Sequence, residues 1–422
     1  MNLFSFTISA YDKETKARVG RLSTPHGEID TPAYLSVGTQ ASVKAVSPDD
    51  LYTLAAQGIF ANTYHLYLRP GPEIIAKLGG LHKFMRWDGP IFTDSGGYQV
   101  FSLGFAIEHN VGKMVKLFGD EVVSNLSTER IKSLIVRQKL CKVDDSGATF
   151  VSYLDGSLHL FTREISMRVQ QMLGSDIVLA FDECTSPLSD YDYTKISMRR
   201  SHLWAERSFD EFNKLQLKKE NTRQAIYGII QGGPFEDLRI KSAKFINKMP
   251  FFGIAIGGAL VNKTKMKDIL SWVTSNLSPN KPKHLLGIGT IEEIFSAVGY
   301  GIDTFDSTGP TREARAGGVF VRSYWENKGG TKEGKKHKWR VNLTNEEFKR
   351  DGAVLEKNCG CYTCRSGFSR AYLRHLFFAR ELLVYRLLSI HNLFFIERFM
   401  NDLREAISKG SFTRFRHSWL DD

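Results

Sequence analysis

Short apolar runs that end in a polar residue or a glycine, with helix-like stretches between them, recur along this 422-residue sequence. The runs are Ile59–Asn62, Ile91–Asp94, Ile177–Asp182, Ala225–Gln231, Phe252–Gly257, His284–Ile288 and Thr304–Asp306. This alternation predicts parallel strands joined by helices, and we expect a (β/α)8 barrel. A doubly wound open sheet is the competing architecture, but no Gly-x-Gly-x-x-Gly turn follows the first strand to support it.

Local signals place the first strand and two helices. Residues 1–10 alternate apolar and polar, which predicts a strand rather than a secretory leader. Ser47 is a natural N-cap before Pro48, and Gly58 is the expected stop of that helix. The stretch Thr162–Leu173 carries its apolar residues on one helical face, which predicts a helix packed against the sheet.

Composition narrows the class of protein. The apolar runs are short and interrupted, so no stretch approaches the roughly 20 apolar residues of a membrane-spanning helix. The net charge of +11 favours a polyanionic partner, although a solvated basic surface is the plainer explanation. Residues 327–340 are rich in Lys and Gly and predict an exposed loop, and residues at about 104–145 read as an insertion.

Three of the five cysteines, Cys359, Cys361 and Cys364, fall within six positions. Thiolates on one tight turn converge naturally on a zinc ion, and clustered thiols without an export signal indicate a reducing compartment, the cytoplasm. His391, in a strongly apolar helical stretch, is the best fourth ligand, and His375 is the alternative. Three Cys and one His close the coordination sphere, which predicts one structural zinc.

Two aspartates, Asp94 and Asp306, each follow an apolar run and precede small residues. A strand end fixes such a carboxylate where solvent reaches it, as a nucleophile or a general acid and base requires. Paired carboxylates at a glycosidic carbon can act as nucleophile and proton donor in a retaining double displacement. A helix cap is the ordinary alternative for either residue alone.

The remaining strand ends supply the polarity of a purine site. Asp182 could accept hydrogen bonds from N1–H and the exocyclic amine of guanine, and Gln231 could serve its O6 edge. Tyr98 offers an aromatic face on which a flipped base could stack. Gly257 and Gly258 would let backbone amides approach a ligand, unless they only form a tight turn.

Taken together, these residues resemble the tRNA-guanine transglycosylases over nearly the whole chain. The matching stretches are Thr31–Lys44, Asn62–Leu66, Asp94–Ser102, Asp155–Ser157, Phe181–Cys184, Gln231–Gly233, Phe305–Asp306, Pro310–Arg312, Cys359–Cys364 and Ser369–Leu373. The resemblance implies one catalytic barrel domain over residues 1–422, with a zinc-binding subdomain at about 318–405. It also implies a homodimer that binds the tRNA anticodon loop.

The resemblance assigns roles to the candidates. Asp306 would attack the ribose C1′, and Asp94 would move protons to and from the base. Base recognition would fall to Ser95, Tyr98, Asp182, Gln231 and Gly258, and zinc to Cys359, Cys361, Cys364 and His391. Arg312 and Arg315 would lie near the anticodon loop.

The implied reaction replaces guanine at the wobble position of tRNAs with G-U-N anticodons. The incoming base would be a 7-deazaguanine, queuine or 7-aminomethyl-7-deazaguanine, and the reaction would pass through a covalent aspartyl-tRNA in queuosine biosynthesis or salvage. The segment Gly257–Lys263 departs from the usual family pattern, so the choice of base stays open. Ser307 stands where a cysteine is usual.

Two other functions fit parts of the pattern. A non-catalytic, tRNA-binding accessory subunit would keep the same fold, but the retained Asp94, Asp182 and Asp306 count against it. An unrelated barrel hydrolase could use Asp94 and Asp306 on glycosides, but it leaves the cysteine cluster and the purine-like pocket unexplained.

Overall fold

A computed structural model of the protein describes residues 3–100, 141–186, 188–218, 224–259, 263–322 and 339–420. The strands in chain order are β1 Ser5–Tyr11, β2 Arg18–Thr24, β3 Gly27–Thr31, β4 Ala33–Gly38, β5 Ile59–Ala61, β6 Ile91–Thr93, β7 Cys141–Asp144, β8 Gly147–Val151, β9 Leu158–Phe161, β10 Ile177–Leu179, β11 Ala225–Ile230, β12 Gly253–Ile256, β13 Lys283–Leu285, β14 Thr304–Ser307, β15 Gly318–Phe320 and β16 Arg340–Asn342.

The helices follow the barrel strands and then form most of the C-terminal part. They are α1 Pro48–Thr53, α2 Thr63–Leu68, α3 Pro72–Lys77, α4 Gly80–Met85, α5 Arg163–Leu173, α6 Tyr191–Lys218, α7 Glu236–Lys248, α8 Lys263–Thr274, α9 Ile291–Gly299, α10 Gly309–Arg315, α11 Tyr362–Arg365, α12 Arg370–Phe378, α13 Leu382–Ser408 and α14 Phe412–Leu420, with a short 3-10 turn at Glu346–Phe348. Within the described ranges, none of these helices has both the length and the apolar content needed to cross a lipid bilayer.

Eight parallel strands close into a barrel in the order β4, β5, β6, β10, β11, β12, β13 and β14. The predicted (β/α)8 barrel is confirmed, and each of the seven predicted runs contributes one barrel strand. The eighth strand, β4, was not predicted because only Pro32 separates it from β3. No helical stretch precedes it, so the alternation that marks the other strands is missing there.

The helix predictions are confirmed at their starts. The Ser47 side chain accepts a hydrogen bond from the Asp50 amide, and the Ser47 amide donates one to the Asp50 carboxylate. The Thr162 side chain caps α5 by accepting a hydrogen bond from the Ile165 amide. The predicted stop at Gly58 was wrong because α1 ends at Thr53 and the chain turns at Ala55, whose φ is +55°.

The strands β1 to β3 form an antiparallel sheet that closes the amino-terminal end of the barrel. Leu22 and Ile29 of this sheet belong to the same buried cluster as the side chains inside the barrel. Arg18 of β2 forms a buried ion pair of 2.6 Å with Asp303, the residue before β14. The sheet is therefore fixed to the end of the barrel opposite the carboxyl ends of its strands.

The C-terminal part is built around α13, which packs against β1, β2, β4 and α10. Asn392 on this helix is fully buried. Its amide nitrogen donates to the carbonyl oxygens of Pro310 and Gly318, each at 3.0 Å, and its oxygen accepts from the Phe320 amide at 2.9 Å. This one side chain joins α13, α10 and β15.

Two expectations fall wholly or mostly outside the described residues. Of the insertion expected at about 104–145, residues 141–145 are described, and they include β7, an edge strand that pairs with β8 in the antiparallel sheet β7-β8-β9. Of the loop expected at 327–340, only the last two residues are described, and Arg340 begins β16 rather than ending a loop.

Candidate active site

The predicted site residues lie at the carboxyl ends of the barrel strands. Asp94 directly follows β6, Gln231 follows β11, Gly257 follows β12, and Asp306 lies on β14. Asp182 follows β10 after two further residues. In a barrel of this kind the loops after the strands build the active site. The placement predicted from sequence is therefore the one that the fold produces.

Asp94 is held by the residues that follow β5. The Asn62 amide donates to Oδ2 at 2.6 Å, and the backbone amide of Thr63 donates to Oδ1 at 2.7 Å. Burial raises the pKa of Asp94 to about 7, aided by the charge of Asp306, while the hydrogen bonds from Thr63 lower it. A carboxyl group with such a pKa can both give and take a proton near neutrality.

Asp306 has an ordered but accessible carboxylate, with its side chain 14% exposed. Its Oδ1 accepts from the Gly287 amide at 2.9 Å and lies 3.2 Å from Nε2 of His284. Both donors come from β13 and the loop that follows it. A carboxylate that is fixed yet reachable from the barrel mouth meets the geometric requirement for a nucleophile.

Asp182 lies at the centre of a buried group of polar side chains, called here the Asp182–Gln231 pocket, and is 5% exposed. The Ser95 hydroxyl donates to its Oδ1 at 2.9 Å, and the Gln231 amide donates to its Oδ2 at 2.6 Å. Burial raises the pKa of Asp182 to about 6, although both of these hydrogen bonds lower it. The three side chains thus form one connected network with a carboxylate at its centre.

Two glycines let the Gln231 side chain lie against the backbone after β12. A Cβ on Gly257 would come within 2.4 Å of Nε2 of Gln231, and one on Gly258 within 3.0 Å of its Oε1. Gly258 also has a φ of +60°, which side chains other than glycine rarely adopt. Gly258 is therefore required by space and by conformation.

A buried arginine, Arg239 on α7, holds these loops together. Its guanidinium donates to the carbonyl oxygens of Gly233 at 2.7 Å, Gly257 at 2.7 Å and Gly258 at 2.9 Å. It is fully buried, and burial lowers the pKa of Arg239 to about 10. Because one rigid planar group binds carbonyl oxygens on both sides, it fixes the relative positions of the loops after β11 and β12.

The other candidate residues are Tyr98 and two arginines. Tyr98, four positions after Asp94 in the sequence, is 39% exposed. Arg312 is exposed on α10, the helix that directly follows β14, and its guanidinium reaches the Thr308 hydroxyl at 3.4 Å. Arg315 is half-buried on the same helix and donates to the Thr311 carbonyl at 3.3 Å. Both arginines thus lie close in sequence to the strand that carries Asp306.

The three clustered cysteines converge on His391, as predicted. The Sγ atoms of Cys359, Cys361 and Cys364 lie 3.9, 3.5 and 3.4 Å from Nδ1 of His391. Nε2 of His391 lies 2.7 Å from the Phe320 carbonyl oxygen, so Nε2 carries the hydrogen. The lone pair of Nδ1 then faces the three sulfur atoms and is available to a metal ion. The alternative ligand, His375, is exposed on α12 and is not part of this group.

This donor set fits a zinc ion. The four ligand atoms lie within 4.8 Å of one another. Zn–S bonds of about 2.3 Å and a Zn–N bond of about 2.0 Å in a tetrahedron separate sulfur and nitrogen by about 3.5 Å. The observed separations match that value, so the group can hold a metal ion without rearrangement.

Comparison with known proteins gives the family. A family described as queuine tRNA-ribosyltransferase (TGT) matches residues 12–422. The chain belongs to this family. The queuine tRNA-ribosyltransferase of Roseiflexus sp. (strain RS-1) is 41% identical over 99% of both chains. That of Caldanaerobacter subterraneus subsp. tengcongensis is 41% identical over 100% of this chain and 98% of its own.

Membership of the queuine tRNA-ribosyltransferase family confirms the resemblance and the enzyme class predicted from sequence, a pentosyltransferase. The structure adds site residues that the sequence did not single out: Thr63, Arg239, His284 and Gly287. Of these, His284 carried a usable signal, since it is a polar residue within a run predicted to be a barrel strand. Arg239 resembles any other arginine on an amphipathic helix.

Proposed function

We propose that this protein exchanges guanine for a 7-deazaguanine base at the wobble position of tRNAs with G-U-N anticodons. The observation that carries the proposal is the meeting of Asp94 and Asp306 with the Asp182–Gln231 pocket at one barrel mouth. The pocket suits a purine, and the two carboxylates suit a reaction at the sugar carbon beside it.

Base recognition follows from the donors and acceptors of the pocket. The Asp182 carboxylate accepts from N1–H and the exocyclic amine of guanine, while the Gln231 amide and a backbone amide near Gly258 serve O6. The Tyr98 ring covers the base by stacking. Because these groups are preorganised by Ser95 and Arg239, they can stabilise the negative charge of departing guanine.

The first displacement forms a bond between a carboxylate oxygen of Asp306 and the ribose C1′ while the bond from C1′ to guanine N9 breaks. The electron pair of that bond leaves with guanine, which takes a proton from Asp94. A pKa near 7 allows Asp94 to hold this proton at neutral pH and to release it readily.

The second displacement reverses these events with a new base. N9 of the 7-deazaguanine attacks C1′, its proton passes to Asp94, and the ester-like bond to Asp306 breaks. The same pocket holds both bases in turn, so the exchange needs no nucleotide cofactor. Two inversions at C1′ keep the original configuration of the nucleoside.

Zinc has a structural role in this proposal. Cys359, Cys361, Cys364 and His391 would fill all four positions of a tetrahedral ion, which leaves none for substrate. The ion would tie the turn of the cysteines to α13. Residues at about 318–405 would form this zinc subdomain within a single catalytic domain over residues 1–422.

The tRNA would approach through its phosphates. The net charge of +11 favours a polyanion, and Arg312 and Arg315 lie on the helix directly after the strand of Asp306.

Cytoplasmic location and a homodimer are part of the same proposal. The zinc subdomain exposes the apolar side chains of Tyr362, Tyr372, Phe378, Leu382 and Leu383, a surface on which two chains could associate. Light scattering on the purified protein would show whether its mass is that of a dimer.

The decisive experiment uses labelled guanine and an unmodified tRNA with a G-U-N anticodon. Wild type should incorporate the label and give an enzyme–tRNA adduct on a denaturing gel, and Asp306→Asn should do neither. Asp210→Asn, which changes an exposed carboxylate on α6, should behave as wild type. Absence of exchange under all conditions would favour the accessory-subunit reading, and activity on simple glycosides alone would favour a hydrolase.

The incoming base is tested by competition. Ala259 is buried after the Gly257–Gly258 pair, and residues 260–262, which continue the unusual segment, lie outside the described residues. We expect queuine and 7-aminomethyl-7-deazaguanine to differ clearly in how they displace labelled guanine. Equal potency would refute the idea that this segment selects the base.

A further inference from the structure

The side chain of His284 lies inside the barrel, 0% exposed, and contacts two residues of the neighbouring strand. Its Nδ1 is 2.9 Å from the Thr304 hydroxyl, and its Nε2 is 3.2 Å from Oδ1 of Asp306. Thr304 and Asp306 are two residues apart on β14, so their side chains point to the same face. The imidazole therefore spans the gap between them.

These contacts define which nitrogen carries the hydrogen. An ionised carboxylate only accepts hydrogen bonds, so Nε2 of His284 must donate to Asp306. With Nε2 as the donor, the Thr304 hydroxyl can donate to Nδ1. Both ring nitrogens therefore have a partner, and Nε2 is the one that faces the proposed nucleophile.

Two aromatic rings fix the plane of the imidazole. The Phe60 ring lies 5.2 Å from it at an interplanar angle of 11°, and the Phe92 ring lies 5.9 Å away at 30°. Both phenylalanines belong to the buried cluster inside the barrel. A ring packed in this way has little freedom to rotate, so the direction of its N–H bond is set by the core.

We propose that His284 is a positioning residue for the reaction, because its Nε2–H and the Gly287 amide together hold Oδ1 of Asp306 and turn Oδ2 toward the ribose C1′. This inference rests on the proposed role of Asp306 as nucleophile. Both donors come from β13 and its loop, so this strand sets the orientation of the attacking carboxylate on β14. A small error in that orientation is costly, since misplacement by about 1 Å can reduce a rate on the order of 100-fold.

The test compares two substitutions at the same site. His284→Phe keeps an aromatic ring between Phe60 and Phe92 but removes the donor, and His284→Gln keeps an N–H close to the position of Nε2. We expect His284→Phe to lower kcat for guanine exchange by about 30- to 100-fold while the KM for tRNA stays within about twofold. His284→Gln should recover most of the lost kcat.

A third variant probes the support of the ring. Thr304→Val removes the hydroxyl that faces Nδ1 at nearly constant volume, so it should lower kcat by less than His284→Phe. Combined with His284→Phe it should cause no further loss in kcat, because the group that Thr304 supports is already gone. Thermal unfolding of each variant reports whether the fold is intact.

The outcomes separate this inference from the proposed function. If Asp306→Asn retains exchange and the covalent adduct, the proposed nucleophile is wrong, whatever His284 does. If Asp306→Asn is inactive but folded His284→Phe keeps the wild-type kcat, only the positioning role is overturned. Equal losses for His284→Phe and His284→Gln would also overturn it, since the donor would then not matter.

Discussion

The Gln231 side chain donates a 2.6 Å hydrogen bond to Asp182 and so joins the ends of β10 and β11. With Ser95 on the other oxygen, both oxygens of the Asp182 carboxylate have a donor before any base arrives. The buried carboxylate is therefore hydrogen-bonded on both oxygens in the free protein, and each oxygen keeps a lone pair for a further donor.

The first prediction concerns the acceptor for guanine N1–H. Asp182→Asn should raise the KM for guanine by on the order of 100-fold, because an amide nitrogen would face the N1–H and N2–H donors of the base. Ser95→Ala keeps the carboxylate and removes only one of its donors, so its KM should rise less than tenfold. A similar KM for the two variants in the exchange assay would contradict the role given to Asp182.

Guanine binding should also depend on pH. Burial raises the pKa of Asp182 to about 6, and a protonated carboxyl is a poor acceptor for N1–H. The KM for guanine should therefore rise as the pH falls below about 6. Asp182→Asn has no such proton and should show a flat KM over the same range, measured against a buffer series at constant ionic strength.

The buried Asp94 should make the folded protein less stable as the pH rises from about 4 to 7. Its pKa is about 7 when folded and has its ordinary value, near 3.8, when unfolded, so the folded state holds the extra proton between these values. Stability from this group is therefore lost as pH rises from about 4 to 7. Between pH 5 and pH 8, wild type should lose roughly 2 kcal/mol more unfolding free energy than Asp94→Asn, as measured with urea. If the unfolding free energies of wild type and Asp94→Asn changed with pH in parallel, the pKa of Asp94 would not be raised in the folded protein.

Arg239 should be a major contributor to stability as well as to base binding. Arg239→Met leaves three buried carbonyl groups without their donor, which should cost about 3 kcal/mol of unfolding free energy and raise the KM for the base. Arg207 forms an ion pair with Glu164 at 50% exposure, so Arg207→Met should cost less than about 1 kcal/mol. Urea unfolding of both variants makes the comparison.

The cysteine cluster should hold one zinc ion per chain. Cys361→Ser should lose the ion and unfold more than about 10 °C below wild type, because a structural metal is bound only by the folded state. Cys141 lies on β7, outside the cluster, and Cys141→Ser should keep one zinc and the wild-type melting temperature. Elemental analysis with calorimetry tests both, and a full complement of zinc in folded Cys361→Ser would exclude the proposed ligand set.

The sequence was most informative where one rule governs many residues. Because the polar side chains that follow barrel strands share one end of the barrel, Asp94, Asp182, Gln231 and Asp306 could be placed together from the sequence alone. The spacing of Cys359, Cys361 and Cys364 likewise predicted that their thiols lie together. The strand β4 was missed because no helix separates it from the preceding sheet.

Other parts of the site depend on packing that spacing does not encode. His284 lies 22 positions before Asp306, and only the register of β13 and β14 brings the two side chains together. Arg239 could be predicted to lie on a helix, but the carbonyls of Gly233, Gly257 and Gly258 that it binds come from two different loops. Only the closed barrel brings such partners within hydrogen-bonding distance.

Asn392, which lies beside His391 on α13, limits where the chain can be shortened. The hydrogen bonds of Asn392 fasten the helix after β14 to the strand that follows it. A shortened chain that stopped near residue 317 would lose this brace and uncover the apolar sides of β2 and β4. We therefore expect that the barrel cannot be separated from the C-terminal part, and a gene cut there should yield insoluble material rather than a smaller enzyme.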